Sequence, residues 1–187
     1  MPAPATDRED ILEKLCGAFQ RWGYDGASLA RLSEETGLVK ASLYHYFPGG
    51  KQEMGNAVLD WLGNRFAQQV VAPLRREIPT RILLSEMGAH LSTFYANGEF
   101  SCLLEIFTLG SARELFGPRI QQSMNRLRQE LAQVLIRHGL DAAHAVCRAE
   151  RAMVAIQGAL VVSRGIGEKR VFVSTMEMLP EMLLGPA

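Results

Sequence analysis

Side chains that can donate hydrogen bonds are concentrated in one short donor-rich segment, residues 40–51. They are Lys40, Ser42, Tyr44, His45, Tyr46 and Lys51. No Asp or Glu occurs between Glu35 and Glu53, so the segment is free of negative charge. Ammonium, hydroxyl and imidazole groups in this combination suit contacts to the phosphates and base edges of a nucleic acid. An ordinary polar protein surface would also contain such groups.

The spacing around these residues predicts two short helices joined by a glycine turn. Ser28 is a suitable N-cap for the first helix, residues 28–36, and Gly37 offers the left-handed residue that often follows a helix. The second helix, residues 39–47, ends before Pro48. This arrangement is typical of a helix-turn-helix that lays its second helix in the DNA major groove, although an ordinary helical hairpin has the same spacing.

A wider set of residues, spread over about positions 7–60, matches a family pattern. The matching residues are Gly23-Tyr24, Ala27-Ser28-Leu29, Leu32-Ser33, Gly37, the run from Lys40 to Pro48, and Lys51. On these residues the chain resembles the TetR family of transcriptional regulators, and looks most like its LmrA/YxaF-type branch. Two residues depart from the pattern: Val39 stands where the family usually has a Ser or Thr that caps the recognition helix, and Ser33 replaces a small Ala.

The DNA-contacting residues divide by chemistry into two groups. We expect Lys40, Ala41, Ser42 and His45 to meet base edges, since lysine donates to guanine and a small side chain can meet a thymine methyl group. We expect Ser28, Tyr44, Tyr46 and Lys51 to meet phosphates, which position the protein without specifying sequence. Packing of the two tyrosines and a solvated Lys51 remain alternatives.

Helical spacing continues through the rest of the chain, and no strand-like alternation of useful length occurs. The sequence therefore predicts an all-α fold of about nine helices. The predicted helices are a first one capped by Thr6 or Asp7 and ending at Trp22, then 28–36, 39–47, 51–71, 80–97, 101–110, a seventh from after Gly117-Pro118 to 138, an eighth capped by Asp141 and ending before Arg164, and 168–184, which Pro180 should kink. We expect a DNA-binding domain over residues 1–50 and a ligand-binding and dimerisation domain over 51–187, with the helix at 51–71 connecting them.

Charge and composition favour a protein that acts in two copies. The formal net charge is zero, and residues 1–51 contain six Lys or Arg against seven Asp or Glu, so bulk charge cannot supply strong DNA affinity. The late helices are more apolar than one core requires, which predicts a homodimer through residues 141–184. The family resemblance implies the same, through a four-helix bundle. Alternatively, these helices simply close the core.

Aromatic and Met side chains on the later helices suggest a small-molecule site. The candidates are Trp61, Met87, His90, Phe94, Glu105, Phe107, Met124, Met153 and Gln157. Such a lining suits a small apolar or aromatic effector, with His90 and Glu105 as polar anchors. The effector site rests mainly on the family resemblance, because apolar residues at helical spacing are more often core. A satisfied core histidine and a surface glutamate are the alternatives for the two anchors.

Several classes of protein are not supported by the sequence. It contains no HExxH, nucleophile elbow, GxGxxG or Walker loop, so we expect neither an enzyme nor a cofactor. Its three cysteines lie far apart without metal-ligand spacing, and no apolar run is long enough to cross a membrane, so we expect a cytoplasmic protein.

Together the patterns and the resemblance predict a regulator, in the first place a repressor released from a palindromic operator by a small effector. The alternative is a dimeric helical small-molecule-binding protein that no longer binds DNA.

Overall fold

The fold is known from a computed structural model, which describes residues 7–185. Within that range the chain forms ten α-helices and no strand, which confirms the all-α prediction. The helices are α1 (Arg8–Gly26), α2 (Leu29–Thr36), α3 (Lys40–Tyr46), α4 (Gly50–Phe66), α5 (Thr80–Phe94), α6 (Leu103–Ile106), α7 (Gly110–Arg137), α8 (Ala142–Ile166), α9 (Lys169–Glu177) and α10 (Leu179–Leu184).

The predicted caps of the early helices are confirmed. The Asp7 carboxylate accepts a hydrogen bond from the Glu9 amide at 3.4 Å, and the alternative cap, Thr6, lies outside the described residues. Ser28 Oγ accepts one from the Arg31 amide at 3.3 Å. Helix α1 runs four residues beyond its predicted end at Trp22, although Gly23 interrupts it with φ 65° and ψ 175°.

The predicted helix at residues 51–71 is not α-helical throughout. After α4, the segment Ala67–Val71 widens into a π-helical turn, in which the Ala72 amide donates to the Ala67 carbonyl five residues earlier. A 3₁₀ turn, Ala72–Arg75, follows. Pro73 has no amide hydrogen and cannot continue the α-helical hydrogen-bonding pattern, so the chain changes geometry before it turns.

The predicted sixth and seventh helices have different bounds in the structure. Helix α6 is a single turn, whereas α7 begins at Gly110 and passes through Gly117-Pro118, where the sequence predicted a break. Gly117 lacks the Cβ atom that would clash with the proline ring, which removes one obstacle to the helix. Phe116 and Ile120 are buried on either side of Pro118, so the residues that flank the proline belong to the core of the first unit.

The last helices confirm the predicted cap at Asp141 but differ from the prediction in where they end. Asp141 caps α8 by accepting hydrogen bonds from the Ala143 and His144 amides, both at 3.1 Å. Helix α8 continues to Ile166, beyond its predicted end before Arg164, and Gly167 then adopts φ 74°. Pro180 divides the predicted ninth helix, because it lies in the first turn of α10, where no amide donor is needed.

The described residues form two compact units. The first contains the chain up to Asn64 together with Leu103–Ile120, and the second contains Arg65–Cys102 and the chain from Gln121 onward. The division of function at residue 50 stays a prediction. Within residues 7–185 no helix combines the length and the apolar character needed to span a membrane.

Candidate nucleic-acid interface

The turn between α2 and α3 is fixed by side-chain hydrogen bonds. Gly37 adopts φ 71°, as its position predicts. The buried Thr36 hydroxyl donates to the Leu32 carbonyl at 2.7 Å and accepts from the Leu38 amide at 3.3 Å. Ser33 Oγ donates to the Leu38 carbonyl. Ser33, which replaces the Ala of the family pattern, therefore stabilises the turn through its hydroxyl group. The small difference in volume between Ser and Ala did not predict this role.

Helix α3 has one buried face and one exposed face. Leu43 and Phe47 are completely buried, as their four-residue spacing predicts. Lys40, Ala41, Tyr44 and His45 are exposed, and Ser42 and Tyr46 are half-buried. The structure thus brings six of the eight predicted DNA-contacting residues onto one short helix, where all six side chains reach solvent at least in part. Their individual roles stay predictions.

The start of α3 has no side-chain cap. Val39 occupies the N-cap position with extended backbone angles, φ −66° and ψ 155°, and its side chain makes no capping hydrogen bond. That side chain is 68% exposed. Ser and Thr at such a position usually accept a hydrogen bond from the first turn of the helix. Val39 cannot, so this departure from the family pattern has a direct structural consequence.

Ser28 and Lys51, the other two predicted phosphate contacts, already take part in intramolecular hydrogen bonds. Ser28 caps α2, and its side chain remains exposed. Lys51 Nζ donates to the Tyr24 carbonyl at 2.9 Å and lies 4.3 Å from the centre of the Tyr24 ring. Lys51 is therefore held in place by the end of α1, and it is not simply a solvated charge.

The carboxylates that flank the donor-rich segment are both engaged. Glu35 accepts a hydrogen bond from Arg21 at 2.6 Å. Glu53 accepts one from the Gly49 amide at 2.6 Å, reaching back over the start of α4 as in a capping box. Gly50, which lies between Gly49 and Glu53 in the chain, adopts φ 68°, a conformation that favours glycine. The nearest carboxylates in sequence on either side of α3 are therefore both held by hydrogen bonds to other groups of the chain.

A junction that the sequence did not predict ties the end of α1 to the start of α7. The Asp25 carboxylate accepts hydrogen bonds from the Ser111 amide, at 3.0 Å, and from the Ser111 hydroxyl. These bonds hold the pKa of Asp25 below its usual range. Gly110 is needed here, because a Cβ atom at that position would lie 2.1 Å from the Asp25 carboxylate.

Aromatic rings fill the space beside this junction. Phe107 stacks on Phe116 with ring centres 5.0 Å apart, and it meets Phe19 and Tyr24 edge to face at 5.5 Å and 5.6 Å. Phe107, predicted as an effector contact, is thus a completely buried core residue of the first unit. No local sequence signal marks this cluster, because its members are up to 97 residues apart in the chain.

The other predicted effector contacts are divided between the two units. Trp61 and Glu105 belong to the first unit with Phe107, and both are half-buried. The second unit contains Met87, His90, Phe94, Met124, Met153 and Gln157. Met153 and Gln157 line an open apolar depression on α8 together with Val154, Gly158, Val161 and Val162.

Three buried polar atoms of the second unit lack hydrogen-bond partners within the described residues. They are His90 Nδ1, Gln157 Oε1 and Arg164 Nη1. Buried unpaired groups of this kind are uncommon and need an explanation. Whether His90 and Gln157 contact an effector stays a prediction.

Comparison with known proteins addresses the helix-turn-helix directly. Residues 11–58 match the family model described as bacterial regulatory proteins, tetR family. Within residues 11–58 the chain is therefore similar to TetR-family regulators. It is similar to the transcriptional regulator YxaF of Bacillus subtilis, with 36% identity over 63 residues. That match covers 34% of this chain and 33% of YxaF, so the chain spans about a third of the length of this curated relative.

Solved structures extend the likeness in fold to the whole chain. A TetR transcriptional regulator from Legionella pneumophila superimposes with a TM-score of 0.81 and 18% identity, over 98% of this chain and 100% of that one. A cysteine mutant of the TetR-family regulator CifR, complexed with 26-bp operator DNA, superimposes with a TM-score of 0.77 and 19% identity. That superposition covers 96% of this chain and 98% of the CifR chain. At these identities the likeness concerns the fold alone. The matched family and these relatives are regulators and not enzymes.

Proposed function

We propose that this protein is a DNA-binding transcriptional regulator that acts as a homodimer on a pseudo-palindromic operator. The exposed surface of α3 carries the proposal. Buried Leu43 and Phe47 anchor this helix, and Lys40, Tyr44 and His45 are left exposed. A protein of the same fold, a cysteine mutant of CifR, has a solved structure in complex with operator DNA. In the helix-turn-helix arrangement the second helix enters the major groove.

The chemistry of the side chains supports separate roles within this interface. Lys40, Ala41, Ser42 and His45 would read base edges. Ser28, Tyr44, Tyr46 and Lys51 would contact phosphates. An ammonium group has three donors, so the bond from Lys51 to the Tyr24 carbonyl leaves two for a phosphate oxygen.

An apolar surface on α8 supports the homodimer through residues 141–184. Val154 is 73% exposed, and Val146, Val161, Val162 and Ile166 are also exposed. Exposed apolar patches rimmed by polar residues mark protein interfaces. Two copies would also double the phosphate contacts of a chain whose formal net charge is zero.

Two of the buried polar atoms without hydrogen-bond partners, His90 Nδ1 and Gln157 Oε1, support a small-molecule effector. A buried imidazole or amide group without a partner carries a free-energy cost of about 1–3 kcal/mol. A bound molecule with complementary polar groups on a mainly apolar or aromatic body would remove that cost at His90 and Gln157. If it prefers a conformation with the two recognition helices farther apart, it releases the operator by population shift, as in a repressor.

In vitro selection of DNA sequences with the purified protein tests the regulator. We expect enrichment of a two-fold-symmetric site whose half-sites lie about 34 Å apart, one helical turn. Enrichment of no symmetric site would overturn the proposal. The chain would then be better described as a dimeric small-molecule-binding protein that no longer binds DNA.

A further inference from the structure

Val39 is the most exposed large apolar side chain within residues 7–100. It is placed directly before Lys40, at the N-cap of the recognition helix, where its side chain makes no capping hydrogen bond. Both features oppose stability. Burial would stabilise an isopropyl group, and a Ser, Thr, Asp or Asn side chain would cap the helix. A residue that serves neither core nor cap is available for a contact outside the chain.

The surroundings of Val39 indicate what that contact would be. The neighbouring Lys40 and Ala41 are exposed, as is His45 one turn further along. One exposed valine near a small alanine, between charged and polar side chains, does not form the contiguous apolar patch that a protein partner would cover. In the major groove, by contrast, the N-terminal residues of a recognition helix meet base edges. The C5-methyl group of thymine is the apolar group displayed there.

We propose that Val39 reads the methyl group of one thymine in each half-site of the operator. The inference rests on the proposed function and deepens it, because it assigns a base to a residue outside the donor-rich segment. The contact is apolar, so it selects thymine over cytosine and also over uracil. A hydrogen-bonding residue could not make that second distinction.

Deoxyuridine substitution tests the contact, since it removes the methyl group and keeps every hydrogen-bonding group of thymine. On the selected operator, symmetry-related thymines are replaced pairwise and the dissociation constant is measured by fluorescence anisotropy. For the wild-type protein we expect one pair to weaken binding by about fourfold per half-site, the affinity equivalent of one buried methylene group. The Val39→Ala variant should bind more weakly to the thymine operator and lose sensitivity at that pair.

Two comparisons keep the result interpretable. A thymine read by Ala41 would stay sensitive in the Val39→Ala variant, because Ala41 is unchanged. The Val39→Ser variant should lose the same sensitivity while its melting temperature rises, because serine can cap α3. That rise excludes misfolding as the cause of weaker binding.

Equal sensitivity of the wild type and Val39→Ala at every thymine, or no sensitivity at any thymine, would overturn the assignment and leave the regulator intact. If the wild-type protein selects no symmetric DNA at all, the proposed function itself fails, and the assignment fails with it. The two failures are therefore distinguishable.

Discussion

Two lysines near the recognition helix are expected to contribute differently to DNA binding. Lys51 is fixed against Tyr24 at the start of α4, whereas Lys40 is exposed in the first turn of α3. We predict that Lys51→Met weakens binding to all DNA sequences and reduces the slope of log K against log salt by about 0.9 for each phosphate that is no longer neutralised. Lys40→Met should weaken binding mainly on the selected operator.

Anisotropy titrations on operator and random DNA at several salt concentrations measure both effects. Circular dichroism of both variants checks that the fold survives without the hydrogen bond from Lys51 to Tyr24. A Lys51 variant whose affinity falls for the operator alone would contradict the phosphate role.

Gly50 adopts a left-handed backbone conformation that residues with a side chain rarely adopt. Its φ is 68°, and a Cβ atom there would make only an ordinary contact, 3.5 Å from the Tyr44 ring. We predict that Gly50→Ala lowers the free energy of unfolding by about 1–2 kcal/mol, the cost of left-handed backbone for an L residue. Gly63→Ala is the matched control. Gly63 lies inside α4 with open space around it, so alanine should stabilise by about 0.5–1 kcal/mol.

Urea unfolding of the wild type and both variants measures these opposite changes. If Gly50→Ala proved as stable as the wild type, the left-handed backbone would not be a requirement of this turn.

At this scale, the sequence predicts residues that act on their immediate neighbours. Asp7, Ser28 and Asp141 are caps, and each accepts from an amide two or three residues ahead, so the pattern contains both partners. The partner of Lys51 lies 27 residues away. Its hydrogen bond depends on how α1 and α4 pack, which no local pattern records.

Among the helices, α7 departs most from its local signals. Pro118 lies inside it, exposed, and cannot donate to the Glu114 carbonyl. We predict that Pro118→Ala raises the free energy of unfolding by about 1–3 kcal/mol, because it restores that donor and removes the ring clash. Pro79→Ala, at the N-cap of α5, is the control and should change stability by less than about 1 kcal/mol.

Thermal and urea unfolding of both variants give the measurement. A decrease in the stability of Pro118→Ala would mean that the proline itself shapes α7. The sequence predicted a break at this point because proline propensity is local, whereas the burial of Phe116 and Ile120 that overrides it is tertiary. The same limit explains α6, where the apolar run at 101–110 predicted a full helix and only one turn forms.

The junction between the end of α1 and the start of α7 should make stability depend on pH. The pKa of Asp25 is lowered by its bonds to Ser111, so the carboxylate stabilises the fold at neutral pH. That contribution disappears as the pH falls below about 4 and through the folded pKa. We predict that Asp25→Asn lowers the melting temperature at pH 7 and that the difference from the wild type shrinks towards pH 3.

Melting curves between pH 3 and pH 7 provide the test, with Ser111→Ala and the double variant closing a thermodynamic cycle. The two substitutions should be less than additive, because they remove one interaction. A difference between the wild type and Asp25→Asn that stays constant over this range would contradict the assignment to the Asp25 carboxylate.

For the molecule as a whole, the proposed function depends on two copies. Residues 1–51 have a net charge of −1, so one recognition surface has little general attraction for DNA. The apolar surface of α8 offers a way to pair two such surfaces. The helical spacing of α8 predicts a buried stripe, and its members Ala149, Ile156 and Leu160 are buried, whereas Val146 on the same predicted stripe is 38% exposed. Which remaining apolar residues face solvent became clear only from the packing against α9 and α10.

Val154 on α8 provides the decisive test of this pairing. Its side chain is 73% exposed, so a substitution there should have little effect on the packing within one chain. We predict that Val154→Glu converts the dimer to a monomer, since two buried carboxylates would meet near a two-fold interface without partners. Operator affinity should then fall by at least about 100-fold, because each half-site must be bound separately and the gain from linked binding disappears.

The control is Leu109→Glu, which places the same charge on a 65% exposed residue of the first unit and should leave the assembly unchanged. Light scattering gives the molar mass, and anisotropy gives the affinity. A Val154→Glu protein that stays dimeric would move the interface away from this face of α8. A monomer that binds the operator as tightly as the wild type would show that one recognition helix suffices.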